Sequence, residues 1–137
     1  MKNEVTFRTF KEGDYEMCCE WWKWWWDGEI QRRQFLPIDT RCFVIESNNT
    51  PVAAGFLFVD GNMGYLTYVV SNPEYREADR RQILEQLVNC IEKEAKEQWG
   101  VEFILTVCGN IHMENIHNKL GWYVDKTAPA YETIKYL

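Results

Sequence analysis

The chain has 137 residues, 46% hydrophobic, 26% charged and 15% aromatic, with 21 Asp and Glu against 15 Lys and Arg. That length predicts one domain over residues 1–137, large enough to build a core without disulfides or a structural metal. A net charge of -6 disfavours nucleic acid as a partner, because binding a phosphate backbone needs a basic surface; a basic or amine-bearing partner fits better.

In chain order, Val5 to Phe10 alternates as a half-buried strand, and Gly13 breaks it. Asp14 is the expected N-cap of a helix from Tyr15 to about Trp26, since its carboxylate can accept from the free amides of the first turn. Five of the seven tryptophans crowd into this helix. At about 100° per residue, Trp22, Trp25 and Trp26 fall on a core-facing arc with Tyr15, Cys18 and Cys19, while Met17, Trp21 and Trp24 fall outside it. Glu29 to Phe35 reads as a second short helix stopped by Pro37. Cys42 to Glu46, Pro51 to Val59 and Gly64 to Val70 form an antiparallel meander with short polar turns. Asp79 to Trp99 carries Ile83, Leu84, Leu87, Val88, Ile91 and Ala95 on one face and is closed by Gly100.

A buried-type strand at Val101 to Val107, a short helix at Met113 to Leu120 and two strands at Trp122 to Asp125 and Tyr131 to Tyr136 complete the chain. The order β-α-α-β-β-β-α-β-α-β-β predicts an α/β (α+β) fold. Its mixed, mostly antiparallel sheet has about seven strands, with helices on both faces. The strand-helix-strand crossover places Gly64 to Val70 beside and parallel to Val101 to Val107. The turn into the long helix, with free amides at the helix N-terminus, is then a natural anion site.

The five cysteines show no CxxC spacing and read as reduced thiols in a cytoplasm, with no metal expected. No apolar run is long enough for a membrane span, and the charged N-terminus does not read as a secretory signal.

Two segments carry a resemblance. Val69-Val70-Ser71-Asn72-Pro73-Glu74-Tyr75-Arg76 is similar to the strand-then-Pro-x-x-Arg entry into the pyrophosphate loop of the GNAT superfamily of acyl-CoA-dependent N-acetyltransferases. Asn110 to Trp122 resembles that family's Asn-x-x-Ala-x-x-x-Tyr-x-Lys-x-Gly-Phe segment, with Met113, His117 and Trp122 changing the residue type. In length and wording the chain looks like the small, acidic, stand-alone versions encoded by tailed phages. The resemblance implies acetyl-CoA as cosubstrate and an amine as acceptor. It also implies backbone amides around Val69, Val70 and Ser71 that hold the oxyanion, and Asn110 on the pantetheine arm. His117 falls where the family places a tyrosine acid.

The family's Gly-x-Gly cradle is missing, because Asp79 and Arg81 stand at the glycine positions. Asp79 to Gln82 reads instead as a capping box, whose carboxylate would occupy the amides and repel phosphate. Against this, Arg76, Arg80 and Arg81 can supply charge-assisted bonds where the family supplies amides. No carboxylate lies on the strand Gly64 to Val70, which leaves Glu46 and Asp60 as candidate bases.

Two functions compete. In the first, the chain is an N-acetyltransferase whose acceptor lies between the Trp-rich helix and the sheet, with Met17, Trp21 and Trp24 as an apolar or cation-binding wall. In the second, the same fold without catalysis binds a protein partner, such as a host factor, or a second copy of itself through those side chains. Asn110 also reads as an ordinary helix cap, and His117 as an exposed histidine on a short helix.

Overall fold

The computed structural model describes residues 4–107, 111–124 and 135. Two compact units are present, Met1–Thr106 and Val107–Leu137.

The first unit is built on a five-stranded sheet of β1 (Val5–Thr9), β2 (Cys42–Ser47), β3 (Thr50–Asp60), β4 (Met63–Ser71) and β5 (Phe103–Thr106), in the spatial order of the chain. The first three pairings are antiparallel, and β4 with β5 is parallel, as the crossover through helix α2 (Arg80–Trp99) requires. Of the seven strands expected, five form among the described residues: Trp122, Tyr123 and Val124 take no strand conformation, and most of Tyr131 to Tyr136 lies outside the described residues.

Residues of β2 and β3 are buried in unbroken runs because the sheet is covered on both faces. Val44, Ala54 and Phe56 pack with Cys18, Cys19, Trp21 and Trp22 of α1 (Asp14–Trp25). One residue out of phase, Gly55 meets α2, where an added Cβ would stand 2.7 Å from the Ile91 side chain. The face of α2 is the one its periodicity predicts, with Ile83, Leu87, Val88, Ile91 and Ala95 buried, and Gly100 closes the helix at φ 66°.

Three local expectations fail, the first two because another partner takes the carboxylate expected to cap a helix. Asp14 does not cap α1: Gly13 takes the N-cap position at φ 91°. The Asp14 carboxylate, 4% exposed, instead accepts from Arg8 at 2.6 and 3.2 Å and from the Lys11 amide at 2.7 Å. A buried carboxylate needs a cation more than it needs helix amides. The capping box at α2 does not form either, because the Tyr75 hydroxyl donates to Asp79 Oδ1 at 2.7 Å and no side chain caps the helix. Glu29 to Phe35 contracts to a single 3-10 turn at Arg33–Phe35, since Arg32 is extended at ψ 147° and Ile30 has no core to face. The second unit contains α3 (Ile111–Lys119), followed by a turn at Gly121 with φ 86°.

Candidate active site

The site is organised by a defect in β4. Ala54 pairs with Val70, but Phe56 pairs with Thr67, so Tyr68 and Val69 both stand opposite Gly55. This is a β-bulge, and it holds Tyr68 at φ 54°, a left-handed conformation that costs a tyrosine about 1–2 kcal/mol. On its other side β4 pairs with β5 only from Met63 to Leu66. The Thr106 hydroxyl closes that ladder by donating to the Leu66 carbonyl at 2.7 Å. Beyond it, no strand among the described residues pairs with Thr67 to Ser71 on that edge. The predicted oxyanion residues Val69, Val70 and Ser71 therefore lie at and after the bulge; Val70 turns its side chain into the α1 core, and Ser71 pairs with Ala53.

Two indoles of α1 hold this defect. Trp22 Nε1 donates to the Tyr68 carbonyl at 3.3 Å, and Trp25 Nε1 donates to the Ser71 carbonyl at 2.7 Å. The indole is an apolar body with one donor, suited to a half-buried strand that offers it a carbonyl at the bulge and another at the strand's end. The angular division of the tryptophans is corrected here. Trp21, expected outside the core, is 6% exposed and belongs to it, whereas Trp25 and Trp26, expected inside, are 45% and 37% exposed. Met17 is partly buried against the same core, so of the three residues expected to form an acceptor wall only Trp24, at 61%, presents an exposed side chain.

The loop from β4 to α2 is pinned at its start by Asn72, whose amide donates to the Val52 carbonyl at 2.7 Å and whose side chain bonds the Pro51 carbonyl and the Glu74 amide, both at 2.9 Å. The three arginines after it separate. Arg80 donates to Ser71 Oγ at 2.6 Å and stacks 5.1 Å over the Trp25 ring. Arg76 is exposed, donates to the Pro73 carbonyl at 3.2 Å, and acts on Arg80 as a like charge. Burial first, and then Arg76, push the Arg80 titration below its ordinary value. Arg81 points elsewhere, into an ion pair with Glu85 at 3.7 Å. Neither Arg76 nor Arg80 has an acidic partner among the described residues. Together with the uncapped start of α2, the two guanidiniums fit the phosphates of a nucleotide cosubstrate.

The remaining candidates are less centrally placed. Glu46 is engaged by Arg8 at 3.3 Å, and Asp60 pairs with Met63, at the end of β4 remote from Ser71. Burial pushes the Cys42 thiol up to about 12 and raises Cys18 further still, so neither supplies a thiolate for a covalent acyl-cysteine route. No group of residues able to hold a metal occurs among the described residues, and none of their helices is long and apolar enough to cross a membrane.

Asn110 lies outside the described residues. His117, on α3, is buried rather than exposed, with its ring 4.4 Å from that of Trp122 and a buried Nδ1 that has no hydrogen-bond partner among the described residues. Burial lowers its titration, so the folded state favours neutral imidazole. The unfolded chain binds the proton more readily, and the stability contributed above the ordinary value near 6.5 is lost as pH falls toward the lowered one. Between pH 7.5 and 5, urea denaturation of the wild type should therefore lose more stability than that of His117→Phe; equal losses would reject this account.

A family model described as the acetyltransferase (GNAT) family matches residues 6–122. Among solved structures, an aminoglycoside N-acetyltransferase in complex with CoA superposes with a TM-score of 0.70 at 12% identity, covering 97% of each chain. A Trypanosoma brucei acetyltransferase gives 0.68 at 14% identity, covering 95% of this chain and 100% of its own. A predicted acetyltransferase of Clostridium acetobutylicum solved with acetyl-CoA gives 0.60 at 18% identity, covering 94% and 96%. Among curated proteins there is no significant match. With the family model matching residues 6–122, most of the chain, the chain belongs to the GNAT family of acyl-CoA-dependent N-acetyltransferases, which use acetyl-CoA as cosubstrate.

Proposed function

We propose that the acceptor is the amine of a cationic molecule, a small polyamine-like compound or a lysine side chain, and that the Arg76 and Arg80 pair holds the acetyl-CoA phosphates in place of a glycine cradle. The observation that carries this reading is the pair itself: on a chain of net charge -6, two neighbouring guanidiniums are kept without a carboxylate partner among the described residues. The acidic surface raises the local concentration of a cationic acceptor. Trp24, exposed on α1, adds an aromatic face of the kind that attracts ammonium groups. The relatives offer the same chemistry, one of them being an aminoglycoside N-acetyltransferase solved with a CoA-acetylneamine bisubstrate analogue.

The cosubstrate supplies an activated thioester. Backbone N–H groups around Val69 to Ser71, beside the bulge, polarise its carbonyl, and the edge of β4 that no described strand pairs with offers backbone donors and acceptors to an extended amide-bearing arm. An amine of pKa about 10 must lose a proton before it attacks. With Glu46 tied to Arg8 and Asp60 at the far end of the strand, that proton passes to water. Burial lowers the titration of His117, the acid that the resemblance implies, and so confines its imidazolium to the acid side of neutrality. A thiol of pKa about 8.5 leaves unaided above that range.

Isothermal titration with acetyl-CoA should show micromolar binding, followed by free-thiol release in the presence of spermidine or a lysine peptide at lower KM than with a neutral amine. Absence of binding at millimolar acetyl-CoA would overturn the cosubstrate assignment, and equal KM values for cationic and neutral amines would overturn the acceptor class.

A further inference from the structure

We infer that Trp25 is a positioning residue for the phosphate end of the cosubstrate, fixing the Arg80 guanidinium so that a preset cation replaces the missing glycine cradle. The inference rests on the acetyl-CoA reading above.

Three contacts close a ring among α1, the end of β4 and the first residue of α2. Trp25 Nε1 donates to the Ser71 carbonyl at 2.7 Å, Arg80 Nη2 donates to Ser71 Oγ at 2.6 Å, and the Arg80 guanidinium lies 5.1 Å over the Trp25 ring. Trp25 is 45% exposed, so core filling does not account for it. The bond to Ser71 fixes how the ring is turned, and the ring then presents a flat surface to a flat cation. An arginine left free in solvent has many rotamers and loses that freedom when it binds a phosphate. One already stacked and bonded on one edge has lost much of it beforehand. Its remaining N–H groups stay available, because a guanidinium carries five donors and Ser71 takes one.

The neighbouring residue shows the contrast. Arg81 has no aromatic surface and pairs with Glu85 on its own helix. A glycine cradle offers backbone amides that are rigid by construction, whereas an arginine becomes comparably rigid only when something holds it. Here the Trp-rich helix supplies that support.

The test compares two thioesters in binding experiments: acetyl-CoA, and S-acetylpantetheine, which has the same thioester arm without the pyrophosphate and nucleotide. In Trp25→Leu the Kd for acetyl-CoA should rise about tenfold, as expected for losing a partly desolvated cation–π contact, and that for S-acetylpantetheine should stay within about twofold. Trp25→Phe keeps a ring face but loses the N–H, and should fall between, near threefold. Arg80→Lys, which keeps the charge without the plane, should repeat the Trp25→Leu pattern and serves if that variant does not fold. Equal weakening of both thioesters would show a merely structural role, and an unchanged Kd for acetyl-CoA in Trp25→Leu would show no role; either overturns the proposal. A wild type that binds neither thioester would instead overturn the cosubstrate reading beneath it.

Discussion

Trp22→Ala is expected to lower the unfolding free energy by about 3–5 kcal/mol, whereas Trp24→Ala, two positions along the same helix, should change it by no more than about 0.5 kcal/mol. Trp22 is fully buried. Its ring lies 5.6 Å from Phe56 and stacks at 6.1 Å on Trp26. Truncation would open a cavity between α1 and the sheet, in the core that Trp22 shares with Val44, Ala54 and Phe56. It would also remove the donor to the Tyr68 carbonyl, so the φ 54° conformation at the bulge would lose one of the contacts that maintain it. Domains of this size are stable by only about 5–15 kcal/mol, and the loss is a large share of that. Trp24, 61% exposed, leaves little behind when truncated. Urea denaturation of the two variants decides the matter: similar midpoints would show that the helix does not use its tryptophans as the structure assigns them.

The tryptophans also show where sequence reasoning holds and where it stops. Angular projection placed Trp22 correctly, because one strongly apolar arc must face the sheet. It misplaced Trp21, since the sheet covers a wider arc of α1 than a single stripe. It misplaced Trp25 and Trp26 because exposure at the end of a helix depends on where the sheet stops, and no periodicity records that. The α2 helix was legible because its apolar face, its glycine stop and its flanking strands agree, and the parallel pairing of β4 with β5 followed from crossover geometry alone.

Side-chain choices between helix amides and other partners were not legible. Asp14 and Asp79 both carry the local signature of a cap, yet Arg8 and Tyr75 take them. Nor was the bulge. Nothing in Leu66 to Ser71 announces a tyrosine at positive φ, although a buried indole N–H does imply that some acceptor must reach it. Two i, i+3 indoles beside a strand end are a signal that could have been followed.

The double variant Arg76→Gln with Arg80→Gln is expected to weaken acetyl-CoA binding at least about a hundredfold, and Arg81→Gln less than about threefold. By position in the sequence the three arginines are equivalent candidates; the structure ranks them. Arg76 acts on Arg80 as a like charge, and no carboxylate is bonded to either among the described residues, an arrangement that costs free energy until an anion arrives. A charge-assisted bond to a phosphate oxygen contributes about 1.5–3 kcal/mol, so losing two of them removes about 3–6 kcal/mol, or roughly two to four orders of magnitude in Kd. Arg81 is already paired with Glu85, and its side chain is 59% exposed, where such a pair is screened by solvent. Titrating acetyl-CoA into the three proteins at two salt concentrations separates the possibilities. The wild type should lose affinity with salt and the double variant should not, since its phosphate contacts are gone. If Arg81→Gln proves as damaging as the double variant, the loop reads phosphate through the whole basic stretch, and the division imposed by Trp25 and Glu85 has no functional weight.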